Sequence, residues 1–137
     1  GFSMGEKALV EGIITDTIEL TKKLDKDGVN PTFVLWYFYE DADEWRLLIG
    51  GPELDKLLPK NEALAYQKIS EAISAIDLPS LSISVVKIVE TSSALPQAVG
   101  FLVKTPPDGI VQASFSDTTI NGIFVKEMLI VRSAAKA

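Results

Sequence analysis

One segment constrains the fold more than any other. Residues 32–39 read Thr-Phe-Val-Leu-Trp-Tyr-Phe-Tyr, with no charged residue among them. Aromatic and β-branched side chains of this sort favour a pleated strand. Successive side chains of a strand point to opposite faces, so Phe33, Leu35, Tyr37 and Tyr39 share one side. Val34, Trp36 and Phe38 share the other. A strand apolar on both sides has no face to give to water. It must be covered twice, by the chain's own elements or by a partner.

The neighbouring residues give this strand a companion. Glu40-Asp41-Ala42-Asp43 is a polar turn, and residues 44–49 return as a second strand, which predicts a hairpin. Upstream, residues 6–24 predict a helix. Leu9, Ile13, Leu20 and Leu24 form its apolar stripe, widened by Val10, Ile14 and Ile18. Asp25-Lys26-Asp27-Gly28 stops it, with Gly28 suited to a left-handed C-terminal position. Downstream, Gly50-Gly51-Pro52 ends the second strand and residues 53–58 predict a helical turn before Pro59. Residues 61–76 predict a second main helix, capped by Asn61 with Glu62 in its first turn.

The last third reads as strands over residues 81–90, 98–104, 110–120 and 123–132. Asn121-Gly122 joins the final two as a type I′ turn, with a competing turn at Ser116-Asp117-Thr118. The predicted order is α-ββ-α-ββββ. That is an α+β fold with a mainly antiparallel sheet of about five to six strands and two main helices. At 137 residues the chain fits one domain, over residues 4–137. Gly1-Phe2-Ser3 ahead of Met4 reads as a cloning remnant.

Two missing residue types exclude most familiar chemistry. The chain has no cysteine and no histidine. Disulfides, thiolate nucleophiles and cysteine metal sites are therefore excluded. So are the Ser-His-Asp triad and histidine-based zinc sites. Carboxylates, lysines, tyrosines and hydroxyls remain. Net charge is −6 and only Arg46 and Arg132 are arginines, so a nucleic-acid partner is not expected. No apolar run reaches a membrane span and no signal peptide is read, which predicts a cytoplasmic protein with no membrane partner. No cofactor is expected either.

Several constellations are candidates for a site. Glu40, Asp41, Asp43 and Glu44 crowd carboxylates at the hairpin turn, where hard cations could bind, although solvated turns carry acids too. Trp36 and Trp45, with Tyr37 and Tyr39, suggest either core or an aromatic binding surface. Lys126-Glu127 interrupts an apolar strand. Glu127 shares parity with Ile123, Val125, Leu129 and Val131, so it would point inward toward a cation such as Arg46, Arg132 or Lys126. A bulge or an edge charge would instead turn the pair outward. Ser84-x-x-Lys87 matches a catalytic spacing, but in a strand residues three apart face opposite sides.

Three segments are similar to a group of small uncharacterised bacterial α+β proteins of unknown function. They are the aromatic strand with Glu44-Trp45-Arg46-Leu47-Leu48-Ile49, the pair Ala65-Tyr66, and residues 119–123 continuing through Ile130-Val131-Arg132. The resemblance implies an α+β fold and no particular chemistry.

High apolar content, 47 %, and the two-sided strand predict a non-enzymatic interaction module that forms a homo-oligomer, or else binds another protein. The alternatives are a carboxylate-dependent, metal-assisted hydrolase and a small-ligand binder with an aromatic pocket. Trp36, Trp45, Arg46, Lys126 and Glu127 are the candidate site residues under these readings.

Overall fold

A computed structural model describes residues 11–134. The chain runs α1 (Glu11–Lys26), β1 (Phe33–Tyr39), β2 (Glu44–Gly50), α2 (Pro52–Asp55), α3 (Glu62–Ala75), a 3-10 turn (Ile83–Val85), β3 (Val86–Ile88), α4 (Ala94–Leu102), β4 (Ala113–Ile120) and β5 (Ile123–Ser133). The strands form one sheet in the order β3-β2-β1-β5-β4. All neighbours are antiparallel except β2 and β3, which are parallel. The fold is α+β, with a mostly antiparallel mixed sheet. Among the described residues, no helix is long and apolar enough to cross a membrane.

The two-sided strand explains the layering. Val34 and Trp36 pack into a first core with Leu20 and Leu24 of α1 and Ala65, Ile69 and Ala72 of α3. Phe33 and Leu35 pack into a second core with Ala98 and Val99 of α4. Both faces of β1 are thus covered within the chain, one by α1 and α3 and the other, at one end only, by α4. Ile14 and Ile18 of the widened stripe also lean on the first core. Leu9 and Val10 lie outside the described residues.

Local chemistry sets the helix packing. Thr17 and Thr21 are buried in α1, and each hydroxyl bonds the carbonyl four residues earlier, Ile13 O at 2.7 Å and Thr17 O at 2.8 Å. Thr17 Oγ1 also accepts the indole N–H of Trp36 at 2.9 Å, so that buried donor is satisfied. Gly28, at φ 83, ends α1 as the sequence predicts. Tyr66 Oη of α3 accepts the backbone N–H of Ile88 at 3.0 Å and ties the helix to β3.

Two predicted strands need correction, and with them the order and the count of five to six strands with two main helices. Residues 98–104 do not form a strand. Ala98 and Val99 belong to α4, which begins after Ser93. Its Pro96 falls in the first turn, where a missing N–H costs nothing because that group has no partner inside a helix. Residues 81–90 hold only a three-residue strand, because the 3-10 turn consumes Ile83–Val85. The parallel pairing of β3 with β2 follows from the long excursion through α2 and α3.

The C-terminal hairpin turns at Asn121 and Gly122, both at positive φ (49° and 85°), as a type I′ turn requires. It carries a kink. Asp117 sits at φ 47°, and the ladder is interrupted between the Ser116↔Glu127 and Thr118↔Val125 pairs. The faces exchange there. Ile123 and Val125 reach the second core beyond the kink, and Met128 and Ile130 reach it before the kink.

A bulge in β5 has a different effect. Val34 pairs with Arg132 and Leu35 with Ile130, so the register slips by one residue between them. Arg132 thereby reaches the end of α1, fully buried at 0 % exposure. Its guanidinium grips Asp25 with two bonds of 2.8 Å and donates to Gly109 O at 2.8 Å and Pro31 O at 3.1 Å.

Candidate functional site

A concavity lies on the second face of the sheet, beside the end of β1 that α4 leaves uncovered. Its volume is about 600 Å³. Tyr37 and Tyr39 of β1 form its floor, and their rings meet edge to face at 4.9 Å between centroids. Cross-strand pairing sets their neighbours. Arg46 faces Tyr37 and Glu44 faces Tyr39 across the β1–β2 ladder, so all four share a face. Lys87 enters from β3, whose pairing with Leu48 places it on that same face. Phe124 and Lys126 approach from β5, and Glu40, Asp41 and Ala42 form the rim at the hairpin turn.

The side chains are held by a small polar network. Tyr37 donates its hydroxyl proton to Phe124 O at 3.3 Å. Lys87 Nζ donates to Tyr39 Oη at 3.4 Å and stands 5.2 Å from the centre of that ring. Arg46 Nε donates to Glu44 Oε2 at 3.0 Å, and Arg46 Nη1 to Ser84 O at 3.4 Å. Lys126 Nζ bonds Asp117 Oδ1 at 3.0 Å, bridging the kink. Partial burial pushes the Tyr37 hydroxyl above the ordinary tyrosine range, helped by Tyr39 beside it. Tyr37 therefore offers a hydroxyl rather than a phenolate near pH 7.

The sequence candidates separate in space. Arg46 and Lys126 line the concavity, as do Glu40, Asp41 and Glu44. Asp43 does not line it. Among the described residues, no three His, Cys, Asp or Glu side chains are grouped so as to hold a metal ion. Trp36 lies in the first core at 2 % exposure. Trp45 is half-buried on that same side, with its ring 5.4 Å from that of Phe38.

Glu127 lines a different, smaller hollow of about 180 Å³ with Ile14, Trp45 and Leu129. It is half-buried, on the side of Leu129 rather than Val125, because the kink breaks the predicted parity. Arg132, one of its expected partners, is bound to Asp25, and Arg46 is bound to Glu44. The Ser84-x-x-Lys87 spacing joins nothing, since Ser84 Oγ shares a bond with Ser82 Oγ and Lys87 turns to Tyr39.

Lys87 and Phe124 belong to the concavity and were not legible as site residues. Lys87 sits across β2 from Tyr39, and only the parallel β2–β3 pairing brings it there. Phe124 is adjacent to a type I′ turn whose hairpin must first be docked on β1. The tyrosines themselves carry a signal, since they are the polar-tipped aromatics on one parity of β1.

Comparisons with protein-family models, with curated proteins and with solved structures find no match to this chain.

Proposed function

We propose that this chain is a non-enzymatic binding module whose concavity at the open end of the β1–β2 hairpin takes a small ligand. The observation that carries this reading is the tyrosine-floored hollow of about 600 Å³, within the usual range of ligand sites. It has a rigid strand floor, aromatic faces for a flat body and a few convergent polar groups. The residues around it supply no histidine or cysteine base or nucleophile. A ligand screen followed by amide chemical shifts tests the reading. Binders should shift Tyr37, Tyr39 and Arg46, and Tyr37→Ala with Tyr39→Ala should abolish the effect. Binders that shift only residues elsewhere would overturn it.

A second reading, self-association, is supported by one further observation. Phe101 and Leu102, adjacent at the end of α4, are 72 % and 50 % exposed. Large apolar side chains left in water side by side favour contact with another copy or another protein. This surface differs from the one around Ile14 and Ile18, which already lean on the first core.

A further inference from the structure

We infer that the ligand of the tyrosine concavity is a small planar anion, an aromatic ring bearing a carboxylate or a phosphate. This rests on the binding reading above and names the class of ligand.

The argument starts from what the floor has left to offer. A lysine ammonium has three N–H donors and no acceptor. Lys87 uses one of them on Tyr39 Oη. Because that oxygen accepts from Lys87, the Tyr39 O–H remains to donate. A guanidinium has five N–H donors. Arg46 uses one on Glu44 and one on Ser84 O, and the rest make no hydrogen bond within the described protein. The Tyr37 hydroxyl is already turned to Phe124 O. The unused capacity on the floor is therefore donor capacity, from Lys87, Tyr39 and Arg46. A ligand that displaces water from these donors must be rich in acceptors, and a charged acceptor bonds about twice as strongly as a neutral one.

Charge points the same way. Among the described residues, Lys87 has no carboxylate within ion-pair distance, and its ammonium meets the hydroxyl and ring of Tyr39. Glu44 is occupied by Arg46, and Lys126 meets Asp117. Glu40 and Asp41 are exposed at the turn, where water and salt screen them. The lining balances Arg46, Lys87 and Lys126 against Glu40, Asp41 and Glu44, and Lys87 is the cation of the floor that meets a tyrosine rather than a carboxylate. The ring of the ligand is implied by Tyr37 and Tyr39, whose T-shaped pair leaves aromatic surface facing the hollow.

The test is an amide chemical-shift titration of the full chain with benzoate, phenyl phosphate, inorganic phosphate and benzyl alcohol. Benzoate, phenyl phosphate or both should shift Tyr37, Tyr39, Arg46 and Lys87 together. Lys87→Gln, an exposed substitution, should weaken that binding about tenfold, the loss of one charge-assisted bond. Tyr39→Phe should weaken it by a smaller factor. Benzyl alcohol binding at these residues as tightly as benzoate, and equally well to Lys87→Gln, would overturn the anion and leave the pocket standing. Inorganic phosphate binding as tightly as phenyl phosphate would overturn the ring. If no probe shifts these residues, the inference falls, and the ligand screen decides the binding reading separately.

Discussion

Arg132 joins β5 to three distant parts of the chain, at Asp25, Pro31 and Gly109. It is fully buried, yet its charge is met by both oxygens of Asp25 and two further donors by the carbonyls of Pro31 and Gly109. A buried charge of this kind is tolerated only while its partner is present. We predict that Asp25→Ala destabilises the fold by about 3 kcal/mol, the lower end for breaking a buried pair, because Arg132 keeps its two carbonyl acceptors. Urea unfolding measures it. A loss below about 1 kcal/mol would class the pair with exposed ion pairs. The sequence shows Asp25 as part of a helix stop, and that role holds. Its second role was not legible, because the bulge that aims Arg132 at it has no local signature in Ile130-Val131-Arg132.

At the scale of elements, the glycines separate two kinds of constraint. A Cβ at Gly50 would run into the ring of Phe33 and the carbonyl oxygen of Val89. The chain therefore closes tightly where β2 ends against the residue that follows β3. A Cβ at Gly122 would meet nothing within 4 Å, so only its φ of 85° resists substitution. We predict that Gly50→Ala costs about 3 kcal/mol, as in overpacked cores. Gly122→Ala should cost about 1 kcal/mol, the left-handed backbone term alone. Thermal and urea melts of the two variants rank them, and the reverse order would refute the distinction.

The hairpins and both main helices were legible because each carries its own periodicity or turn chemistry. α4 was not. Ala98 to Leu102 is a short apolar run that fits a strand or a helix equally well, and only the burial of Ala98 and Val99 beside exposed Phe101 and Leu102 reveals the helical spacing. The same limit applies to the site. Arg46, Lys126 and the acidic turn were each visible as separate candidates in sequence, while Lys87 became a neighbour only through sheet order.

For the whole molecule, the two-sided β1 predicts a partner, and the chain supplies its own cover at one end through α4. What α4 leaves exposed on its outer side is the better measure of self-association. We predict that any concentration-dependent dimer seen by analytical ultracentrifugation is lost in Phe101→Glu and retained in Ile18→Glu, provided the latter folds. A dimer untouched by Phe101→Glu would move the contact elsewhere. Closed symmetric pairs are the commonest outcome for such a patch.

The position of β5 in the sheet also decides when the protein can exist during its synthesis. β5 lies between β1 and β4, and Arg132 bonds Pro31 across 101 residues of sequence. As a nascent chain emerges, β1 and β2 can pair at once, but Trp36 and its neighbours wait for the other side of their strand. Contacts so distant in sequence are slow to form, and the unpaired edge of β1 is open to wrong partners meanwhile. Pulse-labelled hydrogen exchange during refolding should find β1 and β5 amides protected in one phase. Early protection of β1 on its β5 side alone would contradict this. Ribosome-bound chains stopped short of residue 123 would then hold the β1–β2 hairpin with one edge of β1 unpaired until β5 arrives.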